Sequence, residues 1–289
     1  MRTHRDDPNT LCPICARLGE YLEIENAQES SDDTDVAEEF PDEMTQLQVP
    51  NEPLEHYYRY KNERLMKCPH CGRYYWYRLW APGGSEDVLR TYIHESLRRL
   101  SYLEAHVELD DARYQAREQA QEYGGSYVQA HVAIANAVQE EMALLAVRYR
   151  EIVQEALDAI ENKHRRSQEL AKTLELLYPQ RDHAYQIEPE REREERAAAY
   201  HASVLAAYLQ HWTTGRMPLG LVRRLVCLLE DDNQAVRQTI LEALSRWCRS
   251  APRRSRLTEK IARAAQELMP GSAELGALLG ACREPGTDN

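Results

Sequence analysis

Four of the seven cysteines form two Cys-x-x-Cys pairs, one at Cys12 and Cys15 and the other at Cys68 and Cys71. Two residues between cysteines let both sulfurs reach one ion from a tight turn, and Gly72 readily adopts the positive φ that such a turn can require. Four thiolates suit tetrahedral zinc at about 2.3 Å. The spacing therefore predicts one structural Zn²⁺ per chain, bound by all four cysteines and without an open position for catalysis.

The two Cys-x-x-Cys pairs could also serve in redox chemistry or bind an iron–sulfur cluster, and the neighbouring residues bear on both roles. A redox Cys-x-x-Cys is expected at the start of a helix in a βαβ unit, and neither pair has that setting. Four cysteines also suit an iron–sulfur cluster, so the sequence alone leaves zinc and iron open. His70 lies inside the second pair and His4 near the first, but four cysteines already complete a ligand set.

Cysteine usage and hydropathy bear on the compartment. An odd cysteine count with two Cys-x-x-Cys pairs argues against a disulfide framework and fits a reducing environment. The N-terminus lacks an apolar stretch typical of a signal peptide, and no run of 18 apolar residues predicts a membrane span. We therefore expect a cytoplasmic protein that does not contact the membrane.

The net charge of −12 is unevenly distributed. Residues 20–55 hold thirteen acidic residues and no Lys or Arg, so the rest of the chain carries about +1. A near-neutral body has no strong field that would attract nucleic acid or anionic lipid. Residues 26–53 lack apolar periodicity and are predicted to form a solvated acidic loop inserted between the two cysteine pairs. The alternatives are an acidic lure for a basic partner and a mimic of nucleic acid.

Short strands are predicted around the second cysteine pair. The segment 74–80 consists largely of Tyr and Trp, which are strong β formers. Residues 56–60 and 64–67 are predicted to supply neighbouring strands, and residues 21–25 a further strand beside the first pair.

Long helices are predicted for the middle of the chain. Residues 85–123 lack Gly and Pro and carry apolar residues every three or four positions, which predicts one amphipathic helix. Residues 126–178 predict a second helix with a heptad seam between Val138 and Ala159. Gly124 and Gly125 between them favour an antiparallel helical hairpin. The alternative is a parallel homodimer through residues 138–160.

The C-terminal part has shorter predicted helices. After a connection bracketed by Pro179 and Pro189, one helix is predicted at 191–212, and the others are predicted at 218–230, 233–248, 255–269 and 272–282. Paired helices of this length are typical of α-solenoids. The predicted fold is thus mainly α, with a zinc-ribbon module at 1–82, a helical hairpin or coiled coil at 83–180 and HEAT-like helical repeats at 189–284.

Two further groups of residues are candidates for partner binding. Tyr74 and Trp76 could stack nucleobases, although packing against other elements accounts for them equally well. An arginine cluster near the C-terminus could contact phosphates or an acidic partner, although a solvated helix junction is the simpler interpretation. Its members are Arg246, Arg249, Arg253, Arg254 and Arg256.

Common catalytic motifs are missing from the sequence. It has no phosphate-binding Gly-x-x-x-x-Gly-Lys loop, no His-Glu-x-x-His and no Gly-x-Ser-x-Gly. His94, His131 and His164 lie on predicted helices without metal-ligand spacing to one another. No catalytic or organic-cofactor-binding residue is therefore predicted.

Two parts of the chain resemble known families. The Cys12-Pro-Ile-Cys15 and Cys68-Pro-His-Cys71-Gly72 segments resemble zinc-ribbon knuckles. Residues 225–232 with 235–237 and 240–244 resemble one HEAT repeat, a family in which an Asp and an Arg brace the turn between helices; Asp231 or Asp232 and Arg237 match them. Together the two parts are similar to bacterial HEAT-repeat-like proteins with an N-terminal zinc-ribbon module.

HEAT repeats imply protein binding most often, and some helical-repeat proteins of this kind bind DNA or act as DNA glycosylases. We therefore expect a non-enzymatic protein-interaction or scaffold protein with a structural zinc site and a protein partner. The alternatives are a nucleic-acid-associated zinc-ribbon protein and a HEAT-like DNA-processing enzyme.

Overall fold

The computed structural model describes residues 11–28, 40–58, 63–80, 91–122, 126–179, 183–212 and 217–250, and the single positions 261, 263, 264 and 276. The chain divides into two compact units, Met1–Val147 and Arg148–Asn289. The described part is mainly helical with one small antiparallel sheet, which confirms the predicted fold class at that level.

Unit 1 contains a four-stranded antiparallel sheet in the order β1-β4-β3-β2. The strands are β1 Tyr21–Gln28, β2 Glu63–Lys67, β3 Tyr74–Trp80 and β4 Thr91–Arg99. β3 and β2 confirm the strands predicted at 74–80 and 64–67, and β1 extends the one predicted at 21–25. Tyr75 faces Arg99, and Tyr77 faces Leu97, in the register of β3 on β4.

The helix predicted over 85–123 is wrong for residues 91–99, which form strand β4. β4 pairs with β1 on one side and with β3 on the other, so neighbours on both sides satisfy its backbone. This long-range pairing and the β formers Thr91, Tyr92 and Ile93 outweigh the helical spacing of its apolar residues. The helix starts later, as α3 Tyr102–Glu122. Residues 81–90 lie outside the described residues.

The strand predicted at 56–60 is also wrong, because helix α2 spans Glu52–Tyr58. Asn51 caps this helix, since its side-chain oxygen accepts a hydrogen bond from the Leu54 backbone N–H at 3.1 Å. Leu54 and Tyr58, four residues apart, are both buried on one helix face. Residues 59 and 60 of the prediction lie outside the described residues.

The predicted acidic loop is described in part. Residues 26–28 belong to β1, Asp42–Gln46 form a 3-10 helix, and Gln48 makes an antiparallel bridge to Lys67. Residues 29–39 lie outside the described residues. The described part of the insertion is thus attached to the edge of the sheet rather than being a loop throughout.

The single helix predicted over 126–178 is divided into three. α4 Ser126–Leu145 is followed by a 3-10 turn at Ala146–Arg148, α5 Tyr149–Glu161 and α6 Arg165–Leu177. α4 packs on α3 in unit 1, whereas α5 packs on α7 in unit 2. Seam residues Val138, Ile152 and Ala156 are buried within their own chain. The heptad seam therefore belongs to two separate cores.

Unit 2 is helical throughout its described part. α7 Ala184–Leu209 packs on α5, on α6 and on α9 Gln234–Ser250, and α8 Leu219–Cys227 runs into a 3-10 turn at Leu228–Glu230. α8 with this turn, and α9, match the helices predicted at 218–230 and 233–248. The predicted helices at 255–269 and 272–282 fall almost wholly outside the described residues.

The start of α7 differs from the prediction, which placed Pro189 in a connection. Pro189 lies inside α7 and is exposed. Proline there removes one backbone donor near the start of the helix, and the burial of Ala198, Ala202 and Leu205 further along offsets this loss.

Among the described residues, no helix combines the length and apolar character that a membrane crossing requires.

Candidate metal centre

The four cysteines of the two Cys-x-x-Cys pairs converge in unit 1, and we call them the Cys cluster. Their sulfurs all lie within 4.8 Å of one another; the Sγ atoms of Cys12 and Cys68 are 3.7 Å apart, and those of Cys15 and Cys71 are 3.4 Å apart. A tetrahedral ion with metal–sulfur bonds of about 2.3 Å separates its sulfurs by about 3.8 Å. A disulfide needs about 2.05 Å. The cluster therefore fits a single metal ion and contains no disulfide.

The first pair is positioned by the short helix α1, Pro13–Leu18. Cys12 is its N-cap residue, and the Cys15 backbone N–H points at the Cys12 sulfur at 3.5 Å. Pro13 suits the first helical position because its fixed φ matches the helix and its missing N–H would have no partner there. Gly19 ends the helix with a φ of 65°. One helical turn thus directs both sulfurs the same way.

The second pair lies in the turn between β2 and β3. The Cys68 N–H donates to the Arg73 carbonyl at 2.8 Å, and the Gly72 N–H donates to the Cys68 carbonyl at 2.9 Å. Gly72 has a φ of 73°, as its place after the second cysteine predicts. The paired strands hold this turn, so the sheet fixes the position of Cys68 and Cys71.

The thiols of the Cys cluster cannot all ionise together without a cation. The Cys15 thiol hydrogen bonds to the Cys71 sulfur and lowers the pKa of Cys71 to about 5. The same hydrogen bond, together with burial, raises the pKa of Cys15, and burial raises the pKa of Cys68. The cluster therefore accommodates one thiolate readily and further thiolates at a cost. A divalent cation removes this conflict because it stabilises all four thiolates.

The Cys cluster belongs to the apolar core of unit 1. Cys15 and Cys68 are fully buried, and Cys12 and Cys71 are partly exposed. The buried residues that pack with them are Leu18, Leu47, Tyr75 and Leu97. The hydroxyl of Tyr75 is buried beside Cys15, and its interaction with that thiol raises the pKa of Tyr75, although burial is the larger cause.

The aromatic candidates Tyr74 and Trp76 lie two residues apart on β3 and therefore share one face of the sheet. Tyr74 is buried, and its hydroxyl donates to Glu141 of α4. Trp76 is partly buried and packs edge-on against the ring of Tyr58 at 5.9 Å between centroids. Both side chains thus make packing contacts inside unit 1.

The arginine candidates near the C-terminus are mostly outside the described residues. Arg246 lies on α9 and is exposed, and Arg249 follows it on the same helix. The other three, Arg253, Arg254 and Arg256, lie outside the described residues. The prediction that all five arginines form one cluster therefore falls mostly outside the described residues.

A second group of metal-ligating side chains is present in unit 2 and was not predicted. It consists of His164, Glu195 and Asp232, whose ligand atoms all lie within 4.8 Å of one another. The sequence gives no short-range signal for this group, because its members are 31 and 37 residues apart and come from three different segments. His164 has no metal-ligand spacing to another histidine, so the sequence does not indicate it as a ligand.

No protein-family model, no curated protein and no solved structure matches this chain. The resemblances to a zinc ribbon and to a HEAT repeat are thus left as interpretations of short motifs.

Proposed function

We propose that the Cys cluster binds one structural Zn²⁺ and that the chain is a non-enzymatic protein-interaction or scaffold protein. The observation that carries the metal assignment is the convergence of four sulfurs, with separations of 3.4 and 3.7 Å for the two closest pairs. Four thiolates are a soft, tetrahedral ligand set, which favours zinc among the divalent metals. Iron is the alternative metal.

A structural role for the zinc follows from the ligand count. Four protein ligands complete a tetrahedral site and leave no position for water or substrate. The ion would tie α1, near the start of the chain, to the β2–β3 turn, with 52 residues between Cys15 and Cys68. Zinc binding in small domains supplies on the order of 10–16 kcal/mol at pH 7. Such a link would hold the N-terminal segment on the sheet.

The interaction role is supported by the rest of the chain. Unit 2 consists of packed helices in its described part. Its segment 225–244 resembles a HEAT repeat, and that resemblance implies protein binding. The sequence lacks the common catalytic motifs. We propose a cytoplasmic protein that presents surfaces of both units to a protein partner. A homodimer through residues 138–160 is one form of that proposal, and it would use exposed side chains such as Leu144 and Val147, because Val138, Ile152 and Ala156 are buried in their own chain.

Metal content of the purified full-length chain tests the zinc assignment. After dialysis against metal-free buffer, we expect inductively coupled plasma mass spectrometry to find about one tightly held zinc per chain in the wild type. Cys68→Ser should lose the zinc and disorder the N-terminal segment. Cys227→Ser is the matched control, because Cys227 is an exposed cysteine of unit 2. Iron in the wild type, or no metal at all, would overturn the assignment.

Binding assays separate the interaction role from the nucleic-acid alternative. We expect the zinc-loaded chain to bind single- and double-stranded DNA weakly at every salt concentration. Binding that weakens steeply with salt, and that Arg253→Ala combined with Arg254→Ala abolishes, would favour the nucleic-acid-associated protein instead. A HEAT-like DNA-processing enzyme would alter the DNA, which denaturing gel electrophoresis detects. Light scattering reports whether the chain is a monomer or a homodimer.

A further inference from the structure

The group of His164, Glu195 and Asp232 joins three segments of unit 2. His164 lies between α5 and α6, Glu195 lies on α7, and Asp232 lies between the 3-10 turn at Leu228–Glu230 and α9. The Nε2 atom of His164 is 3.0 Å from Oε1 of Glu195 and 3.6 Å from Oδ2 of Asp232. Two ligands at right angles on an ion, each at about 2.1 Å, are about 3.0 Å apart. The separations therefore suit one ion between the three side chains.

The imidazole of His164 lies close to two carboxylates without making a hydrogen bond to either. Both of its ring nitrogens are buried, and neither makes a hydrogen bond within the part of the chain that the structure describes. Nε2 and Oε1 of Glu195 are close, but their alignment does not make a hydrogen bond. A buried nitrogen without a partner costs free energy, and a metal ion would satisfy it without needing that alignment.

Both carboxylates are held by partners that leave one oxygen free for the ion. Oε2 of Glu195 accepts a hydrogen bond from Nδ2 of Asn233 at 2.5 Å, so Oε1 is the atom next to His164. Oδ1 of Asp232 pairs with Nζ of Lys163 at 2.6 Å, so Oδ2 is the atom next to His164. Outer partners that fix the orientation of ligating side chains are characteristic of metal sites.

The charges around the group leave room for a divalent cation. Lys163 is its nearest competitor, but that ammonium also pairs with the buried carboxylate of Asp231 at 2.5 Å. Arg237 adds a second positive charge, which contacts the carbonyls of Asp231 and Asp232. Three carboxylates, those of Glu195, Asp231 and Asp232, thus lie near these two cations, and one negative charge remains.

We infer that His164, Glu195 and Asp232 form a second divalent-cation site, independent of the Cys cluster. One imidazole and two carboxylates favour Zn²⁺, Mn²⁺ or Fe²⁺ over the soft metals that thiolates select. Three protein ligands leave positions for water, unlike the Cys cluster. A bound ion links the α5–α6 connection, α7 and the connection before α9.

Mn²⁺ is the probe that separates the two sites, because carboxylates suit it and thiolates prefer Zn²⁺. The full-length chain is first loaded with one zinc and then titrated with Mn²⁺ while electron paramagnetic resonance measures the free ion. We expect one saturable Mn²⁺ per chain in the wild type. His164→Gln and Asp232→Asn should each weaken Mn²⁺ binding at least tenfold. His183→Gln, at a histidine outside this group that contacts the Tyr178 carbonyl, should bind as the wild type does.

Two ligand variants, His164→Gln and Asp232→Asn, are used so that the test still decides if one of them is unstable. Asp232 is mostly exposed, and Lys163 keeps Asp231 as a partner when Asp232→Asn is made. Circular dichroism and the retained zinc at the Cys cluster identify variants that still fold. A wild type without saturable Mn²⁺ binding, or folded His164→Gln and Asp232→Asn variants that bind as the wild type does, would overturn the proposal. The group would then be a contact of His164 with two carboxylates that binds no cation.

Discussion

Lys67, the residue directly before Cys68, forms an ion pair with the buried carboxylate of Glu141 on α4. The Tyr74 hydroxyl donates to the same carboxylate oxygen, and the Lys67 ammonium lies over the Tyr74 ring. Lys67 ends β2 and Tyr74 begins β3, so the two residues lie on either side of the turn that carries Cys68 and Cys71. The Glu141 carboxylate therefore holds the two residues between which the second cysteine turn lies.

Glu141→Ala is expected to destabilise unit 1 by about 2 kcal/mol. The substitution leaves a partly buried ammonium and a buried hydroxyl without their acceptor, and a hydrogen bond to a charged group is worth about 1.5–3 kcal/mol. The loss is smaller than that for a fully buried pair, because Lys67 keeps some contact with water. Urea unfolding of the zinc-loaded chain, followed by tyrosine and tryptophan fluorescence, measures it.

Glu140→Ala is the matched control for this substitution. Glu140 neighbours Glu141 on α4, but it is exposed, so its replacement should change stability by less than about 0.5 kcal/mol. Equal effects of the two substitutions would mean that the Lys67–Glu141 pair contributes nothing beyond the general effect of removing a helix side chain.

Zinc binding at pH 7 is expected to release two to three protons. The thiols of Cys15 and Cys68 have raised pKa values and must lose their protons to become ligands, whereas the pKa of Cys71 is about 5, so this residue is already ionised at pH 7. Zinc affinity should therefore fall as the pH falls. Calorimetry in two buffers with different ionisation enthalpies counts the protons.

The proton count also distinguishes two states of the metal-free chain. Cysteines in an unfolded segment have pKa values of about 8.5 and are protonated at pH 7, so four protons would be released. A count of four would mean that the Cys cluster disperses without metal. A count below two would contradict the raised pKa values of Cys15 and Cys68.

The Cys cluster could be predicted from the sequence because its information is local. Each pair needs one tight turn, and Pro13 and Gly72 are the residues that the two turns require. β3 was predicted for a similar reason, since five of its seven residues are the strong β formers Tyr and Trp. The group of His164, Glu195 and Asp232 has no local signal, because only the packing of α5, α7 and α9 brings its members into one place.

Strand β4 could not be predicted because its local pattern fits two structures. Ile93, Leu97 and Leu100 are spaced as on a helix face, while Thr91, Tyr92 and Ile93 are β formers. Pairing with β1 and β3 decides between them, and that pairing is a long-range property. The Ser101-x-x-Glu104 capping box is a local signal for the start of α3, and the sequence-based prediction did not use it.

Ser101→Ala is expected to destabilise unit 1 by about 1 kcal/mol. The Ser101 hydroxyl accepts from the Glu104 N–H at 3.1 Å, and the Glu104 carboxylate accepts from the Ser101 N–H at 2.8 Å. Alanine removes the first of these bonds at the junction of β4 and α3. Ser101→Asp keeps an acceptor at the cap and should retain most of the stability in the same urea experiment. Equal losses for both variants would argue against the cap.

His106 on α3 is expected to make unit 1 sensitive to acid. Burial lowers the pKa of His106 to about 4, against about 6.5 in an unfolded chain, and the nearby charges of Asp110 and Arg113 act in opposite directions. Between these two values the unfolded state binds a proton that the folded state does not. The stabilisation by neutral His106 is therefore complete above about pH 6.5 and is lost as the pH falls towards 4.

A difference of about 2.5 pKa units corresponds to about 3 kcal/mol, which is the largest loss that His106 alone can cause. His106→Gln should be less stable than the wild type at pH 7.5, and this difference should shrink or reverse at pH 4.5. His211→Gln, at an exposed histidine of unit 2, should follow the wild type at both pH values. Because acid also releases zinc from thiolates, zinc content is measured in every sample. If wild type and His106→Gln lose stability in parallel over this range, His106 is not the group that titrates.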